Sequence, residues 1–491
     1  MQKNYQKLSK IFTEYYTLEK INSALSWDSQ VKMPKQGFKV REKQLTLIHH
    51  LTDQIICSPE IEELVTNCNT TSLSKNQQRN FELMKNIVIH HNSVPEKLRK
   101  EFNAISLKTE FIWGEAKAKN DFALFNKYFE TLITLLREIC TIKSEKLGLS
   151  KYETLLDQYD PGTREEDLNK VFGKLENKLP DLIEKIIAKN PNSQKLQHKN
   201  IRPSTQKKLF TRIIKKIGIR DSWCRIDESL HPFCTGYTGD VRITTRYNKE
   251  DFSGALMGLI HESGHALYDS HLPKQTLFQP IGQPGGMAIH ESQSLFWEMQ
   301  IARSMPFCEF ISPLINKAFK LDLSTQELYN NLNHVEKTYI RVDSDEATYP
   351  LHIILRYDIE RDLINSKIET KDIPEIWNEK TKQLLHLPAP EVSKGALQDI
   401  HWSDGSLGYF PTYTLGAIYA SQIANEMKKQ IPNWDEQTRN GNFKEILNFL
   451  KTNIHQKASS KPAGEIIKEV CANNLDVDCY LNYLETKYLS L

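Results

Sequence analysis

Apolar positions recur every three or four residues along most of this chain, the pattern of helices with one buried face. Leu8, Ile11 and Phe12 open such a stripe, which continues through Tyr15 and Leu18 and breaks at Trp27-Asp28-Ser29-Gln30, ahead of Met33-Pro34. The same period predicts helices over 41–56, 77–90, 96–119 and 122–147, with charged residues filling the opposite faces. Residues 1–150 therefore read as a helical arm that carries no chemistry. Asp160-Pro161-Gly162 is a turn, and Thr163 with Glu166 forms a capping box for a helix running towards Lys189. A polar loop, 190–200, precedes a helix over 206–217 that Gly218 stops.

The pattern changes between Cys224 and Tyr247. Val241, Ile243 and Thr245 alternate with Arg242, Thr244 and Arg246, which is the period of a strand. A small sheet is expected there, directly before a long apolar helix, Phe252–Leu267. After a glycine-rich loop, 280–286, a second helix starts near Ala288, and further helices are expected over 309–320, 326–342, 347–365 and 374–385. A glycine- and aromatic-rich loop, 395–408, leads into Tyr409-Phe410-Pro411-Thr412-Tyr413, and helices close the chain.

Composition narrows the class without deciding the chemistry. The 491 residues are 39% hydrophobic and 26% charged, with a formal net charge of +2. That balance implies no strong field for nucleic acid or for an anionic membrane. No apolar run is long enough to span a bilayer, and the N-terminus lacks the apolar core of a signal peptide. The eight cysteines include no CxxC pair, which fits free thiols in a reducing, cytoplasmic setting.

Candidate chemistry lies on the apolar helix, in His261-Glu262-Ser263-Gly264-His265. Histidines four apart share one helix face and can hold one metal ion between them, while Glu262 lies where a carboxylate can take a proton from bound water. Buried histidines need partners, and an ion is the simplest shared one. A catalytic zinc takes three protein ligands and keeps one position open. Two residues compete for the third place. His271 has the spacing used by H-E-x-x-H-x-x-G-x-x-H sites, but Tyr268 stands where the chain-reversing glycine would be, so His271 is expected on the surface past the helix end. Glu291, near the start of the second helix, would complete a His₂Glu set.

Six stretches fall in one order along the chain. They are His231-Pro232-Phe233, Asp240 to Thr244, His261 to His265, His290-Glu291-Ser292-Gln293, Ile340-Arg341 through Asp345, and Gly395 to Trp402. Together they resemble the carboxypeptidase Taq family of metallopeptidases. Trp27-Asp28, Met33-Pro34 and the Asp160-Pro161-Gly162 turn fit as well, so the resemblance spans nearly the whole chain. One departure is Ser344, where the family pattern Ile-Arg-x-x-Ala-Asp has alanine; it puts only local helix packing in question.

The resemblance implies a mainly α, saddle-shaped, neurolysin-like fold with a deep groove and a small β-sheet beside the metal helix. It implies a single catalytic domain over 1–491, with 151–491 carrying groove and metal site, and a homodimer. The implied activity is zinc-dependent release of single residues from peptide C-termini with broad specificity, with cobalt able to replace zinc. Carried over, the ligands are His261, His265 and Glu291, the catalytic carboxylate is Glu262, and His271 has no role. Tyr409 and Tyr413 are candidates for oxyanion support, by similarity to neurolysin-like enzymes. Arg341 is the leading candidate for reading the free α-carboxylate, with Arg242 the alternative. His231 and His401 are candidate substrate contacts. The Asp240–Thr244 and Gly395–Trp402 stretches are expected to close the end of the groove. An endo-acting oligopeptidase on the same scaffold is the alternative activity.

Overall fold

Where an apolar stripe carries a stop signal at each end, helices form as the period predicts. Phe122–Leu147 begins at Asp121, whose carboxylate accepts from the Leu124 amide, and ends at Gly148 with φ 66°. Glu96–Lys119 ends at Asn120 in the left-handed region. The computed structural model describes residues 3–189 and 200–489; the loop expected over 190–200 lies almost wholly outside them. The described residues are mainly helical, with a single three-stranded sheet. All eight cysteines are free thiols, and among the described residues no helix is long and apolar enough to cross a membrane.

The chain divides into two units. The first comprises Met1–Val88, Ser193–His334 and Tyr419–Leu475, and the second Ile89–Asn192, Val335–Ile418 and Asp476–Leu491. Residues 1–150 contribute to both. In the first unit the opening helix runs unbroken from Lys3 to Val31. Trp27 does not break it, because the indole is buried on the helix's inner face and stacks under the Arg242 guanidinium, 4.5 Å away. Leu8 and Phe12 share a core with Ile56, Ile61 and Met84. The sheet consists of β1 (Cys224–Glu228), β2 (Cys234–Tyr237) and β3 (Asp240–Thr245) in the order β1-β3-β2. β3 is central, parallel to β1 and antiparallel to β2. It packs on the Phe252–His271 helix, with Val241 and Ile243 buried.

That helix starts at Asp251, whose side chain accepts from the Ser253 and Gly254 amides. It extends to His271, one turn further than the pattern indicated. His271 is therefore not past the helix end: it is half-buried, with its ring stacked on His455 and Nδ1 2.7 Å from the Leu267 carbonyl.

Also in the first unit, the helix expected over 326–342 stops at Leu332. The Asn333 side-chain amide donates to the carbonyls of Tyr329 and Arg303, a local competition that ends the helix. Arg341 consequently lies in a 3-10 turn, Arg341–Asp343, and Ser344 closes this turn by donating to the Ile340 carbonyl. The terminal helix Val477–Leu489 is fastened by Glu346, a buried carboxylate that accepts from Tyr483, Lys487 and Tyr488.

Candidate metal centre

Two consecutive helices of the first unit converge because one position between them is glycine. A Cβ at Gly264 would stand 2.5 Å from the Gln293 carbonyl oxygen and 2.6 Å from Ser294 Cα, so no other residue allows this approach. The second helix, Met287–Leu295, follows Gly286, whose φ of 105° suits glycine. Tyr268 stabilises the turn between them, since its buried hydroxyl accepts from the Gly285 amide at 3.0 Å.

At this contact the structure brings His261, His265 and Glu291 together, with one donor atom of each within 4.8 Å of the others. Glu291 Oε2 lies 3.4 Å from His265 Nε2 and 3.8 Å from His261 Nε2. Ligands about 2.1 Å from a tetrahedral ion stand about 3.4 Å apart, so the spacing fits a small divalent cation. Two imidazoles and a carboxylate are also the donor set such an ion favours. The His265 ring stacks on His290, with centroids 4.4 Å apart, and His290 Nε2 lies 3.1 Å from Asp269 Oδ1. Ser294 donates to Glu291 Oε2 at 3.2 Å.

The surroundings separate the titratable groups. Burial pushes the Glu262 carboxyl up to about 7; His261 opposes this and Glu291 adds to it. Burial lowers His261, but Glu291 and Glu298 outweigh it and carry the imidazole up to about 10. Burial and the neighbouring His290 hold His265 down, at about 4. Three buried carboxylates, Glu262, Glu291 and Glu298, thus surround this point and call for positive charge, which a divalent cation supplies on displacing protons.

Other expected site residues form a cluster in the second unit. Arg341 donates from Nε and Nη2 to Asp399 Oδ1, at 3.0 and 2.9 Å, and from Nη1 to the Tyr349 hydroxyl at 2.8 Å. Its guanidinium lies 5.3 Å from the ring centroids of Phe410 and Tyr413. Tyr409 and Tyr413 pack edge to face at 5.3 Å, and His401 lies against Tyr409 and Phe410. In the first unit, Arg242 is engaged by Asp240 through two bonds of 2.9 and 2.8 Å and by Trp27. His231 is exposed in the turn between β1 and β2.

Residues 7–488 match the carboxypeptidase Taq (M32) metallopeptidase family. The chain belongs to that family. Thermostable carboxypeptidase 1 of Pyrococcus furiosus is 34% identical to it, over 99% of each chain, and carboxypeptidase 1 of Bacillus subtilis is 33% identical, over 95% of this chain and 94% of its own. Among solved structures, Trypanosoma cruzi metallocarboxypeptidase 1 matches all of both chains with a TM-score of 0.97 at 33% identity. As an M32 metallocarboxypeptidase the protein acts on peptides with the help of a metal ion, and its mainly helical fold with a small sheet is that of its relatives.

Three features of these two clusters, one in the second unit and two in the first, were not singled out from the sequence. Asp399 binds two arginines, Arg341 and the buried Arg356. Gly264 admits the second helix. Glu298, seven residues after Glu291, reaches His261 Nδ1 at 3.0 Å from a π-helical turn, Phe296–Ala302. The i+7 repeat of glutamate was visible in the sequence, because residues seven apart share a helix face.

Proposed function

We propose that this M32 enzyme is a zinc-dependent carboxypeptidase that releases single C-terminal residues from peptides with broad specificity. It works as a cytoplasmic homodimer, with residues 1–491 acting as one catalytic domain. The observation that carries this reading is the convergence of His261, His265 and Glu291, with Glu262 buried beside them. These three would hold the ion, zinc by preference and cobalt in its place, since the donor set suits both.

The bound ion supplies Lewis acidity and lowers the pKa of water. Glu262 takes the proton from the attacking water and passes it to the departing amine. Tyr409 and Tyr413 supply hydroxyl donors to the developing oxyanion. Arg341 reads the free α-carboxylate of the substrate. Asp399 engages Nε and one Nη2 hydrogen and the Tyr349 hydroxyl one Nη1 hydrogen, which leaves one N–H on each of Nη1 and Nη2 for a second carboxylate. His231, His401, Asp240 and Arg242 border the bound peptide.

The test compares a peptide with its C-terminally amidated twin, with and without chelator. Stepwise loss of single residues from the free form alone, abolished by chelator and restored by zinc, is the expected result. Internal cleavage of both forms would establish the endo-acting alternative instead. Glu262→Gln should lower kcat by at least about 10²–10⁴-fold, the usual weight of a general base, while the protein still takes up zinc.

A further inference from the structure

Only one side of an imidazole can face a metal ion. When Nε2 is the ligand, Nδ1 carries the proton and must donate it, and the partner it finds fixes both tautomer and ring orientation. His261 turns Nε2 towards Glu291 and Nδ1 towards Glu298, so two glutamates on one helical rod hold the same ring at its two ends. Glu291 and Glu298 reach opposite ends of the ring because they lie two turns apart on one face. Glu298 is itself fixed. Arg303 donates to its other oxygen, Oε1, at 2.7 Å, and also to the Leu332 carbonyl at the end of the Thr325–Leu332 helix. Leu332, Arg303, Glu298 and His261 therefore form one continuous series of hydrogen bonds ending at the candidate ligand. Among the described residues His265 has no such carboxylate: its Nδ1 finds no hydrogen-bond partner there, and its ring is held by stacking on His290.

We propose that Glu298, held by Arg303 in the π-helical turn, is the positioning residue that sets metal affinity through His261. The inference rests on His261 being a ligand, as in the function proposed above. Glu298 touches neither substrate nor ion, so its effect is on retention of the metal. Removing an outer carboxylate of this kind typically weakens binding by about 10–100-fold.

The experiment measures the zinc dissociation constant of the full-length protein by competition with a chromophoric chelator, together with the Tm of the metal-free form. Glu298→Gln keeps the shape and removes the charge, and is expected to weaken zinc binding by about 10–100-fold with little change in the metal-free Tm. Glu298→Asp, which keeps the charge on a shorter arm, should recover part of the loss. Arg303→Met, which frees the carboxylate without removing it, should give a smaller loss. Unchanged affinity in Glu298→Gln overturns the proposal. So does unfolding of both Glu298 variants without metal, because Glu298 would then be a framework residue. If the wild-type protein itself binds no zinc, the ligand assignment fails and this inference falls with it, whereas tight wild-type binding left unchanged by Glu298→Gln overturns this inference alone.

Discussion

Two guanidiniums share a single carboxylate at Asp399. Arg341 binds Oδ1, and Arg356, wholly buried, donates to Oδ2 at 2.7 Å. Burial alone would raise the carboxyl, yet Arg356 and Arg341 hold it well below the usual carboxylate range. Removing one partner from a buried ion pair costs about 3–5 kcal/mol, because the other charge is left uncompensated. Asp399→Asn should therefore lower the denaturation free energy by that amount. Among molecules that still fold, it should raise KM for free-ended peptides more than it lowers kcat, since Arg341 loses its anchor. Equal loss on amidated peptides would remove Arg341 from carboxylate reading. The same arginines set a pH dependence through His352, which is pushed down to about 3 by burial and then by Arg356 and Arg341. An unfolded imidazole binds its proton near 6.5, whereas the folded one stays neutral until about pH 3. The stabilisation is thus fully present above about pH 6.5 and is lost as pH falls towards 3, at about 1.4 kcal/mol per unit. In His352→Gln that slope should be shallower by one proton between pH 6 and 4, as read from urea titrations across the range.

Elements were legible where the pattern and its caps agreed. Glu96–Lys119 and Phe122–Leu147 begin and end where stripe, Asp121, Asn120 and Gly148 place them. They were not legible where a side chain outside the stripe decided the matter. Asn333 ends a helix that the apolar spacing carried on to Val342, and buried Trp27 continues one that its polar neighbours seemed to break. The π-helical turn at Phe296–Ala302 has no compositional mark, so Glu298 stayed hidden although its spacing from Glu291 was in view. Within the motif, the histidines and glutamates announce their chemistry, but Gly264 reads as an idle position and is the one that admits the second helix. Gly264→Ala would force backbone 2.5 Å from the new methyl to retreat, an overpacking that typically costs about 1–3 kcal/mol. Because the retreating segment is Gln293–Ser294, the shift is transmitted to Glu291. Zinc affinity should fall by more than the metal-free Tm accounts for; retained affinity with a lowered Tm would mean that Glu291 does not depend on this approach.

At the scale of the molecule, sequence order misleads, because each unit is assembled from three separated segments. The stretch 1–150, which reads as one arm, supplies both units. The ligand candidates and Glu262 belong to the first, and Arg341, His401, Tyr409 and Tyr413 to the second. The two clusters also neutralise themselves differently. Around Asp399 the charges are compensated by the chain's own arginines, whereas at the candidate metal centre Glu262, Glu291 and Glu298 meet one arginine and three histidines, of which His290 is already paired with Asp269. Only the second kind of cluster depends on an added cation. An ion at 1,000 times its dissociation constant stabilises the form that binds it by about 4 kcal/mol. Chelation should therefore accelerate amide hydrogen exchange in Phe252–His271 and in Met287–Ala302, while Tyr349–Ile364, which carries His352 and Arg356, keeps its protection. Zinc should restore the first two helices, and magnesium, which prefers an octahedral shell of oxygens, should restore them less. If chelation loosened Tyr349–Ile364 to the same degree as Phe252–His271, the ion would be supporting the whole chain, and its stabilising effect could not be assigned to three ligands on two helices.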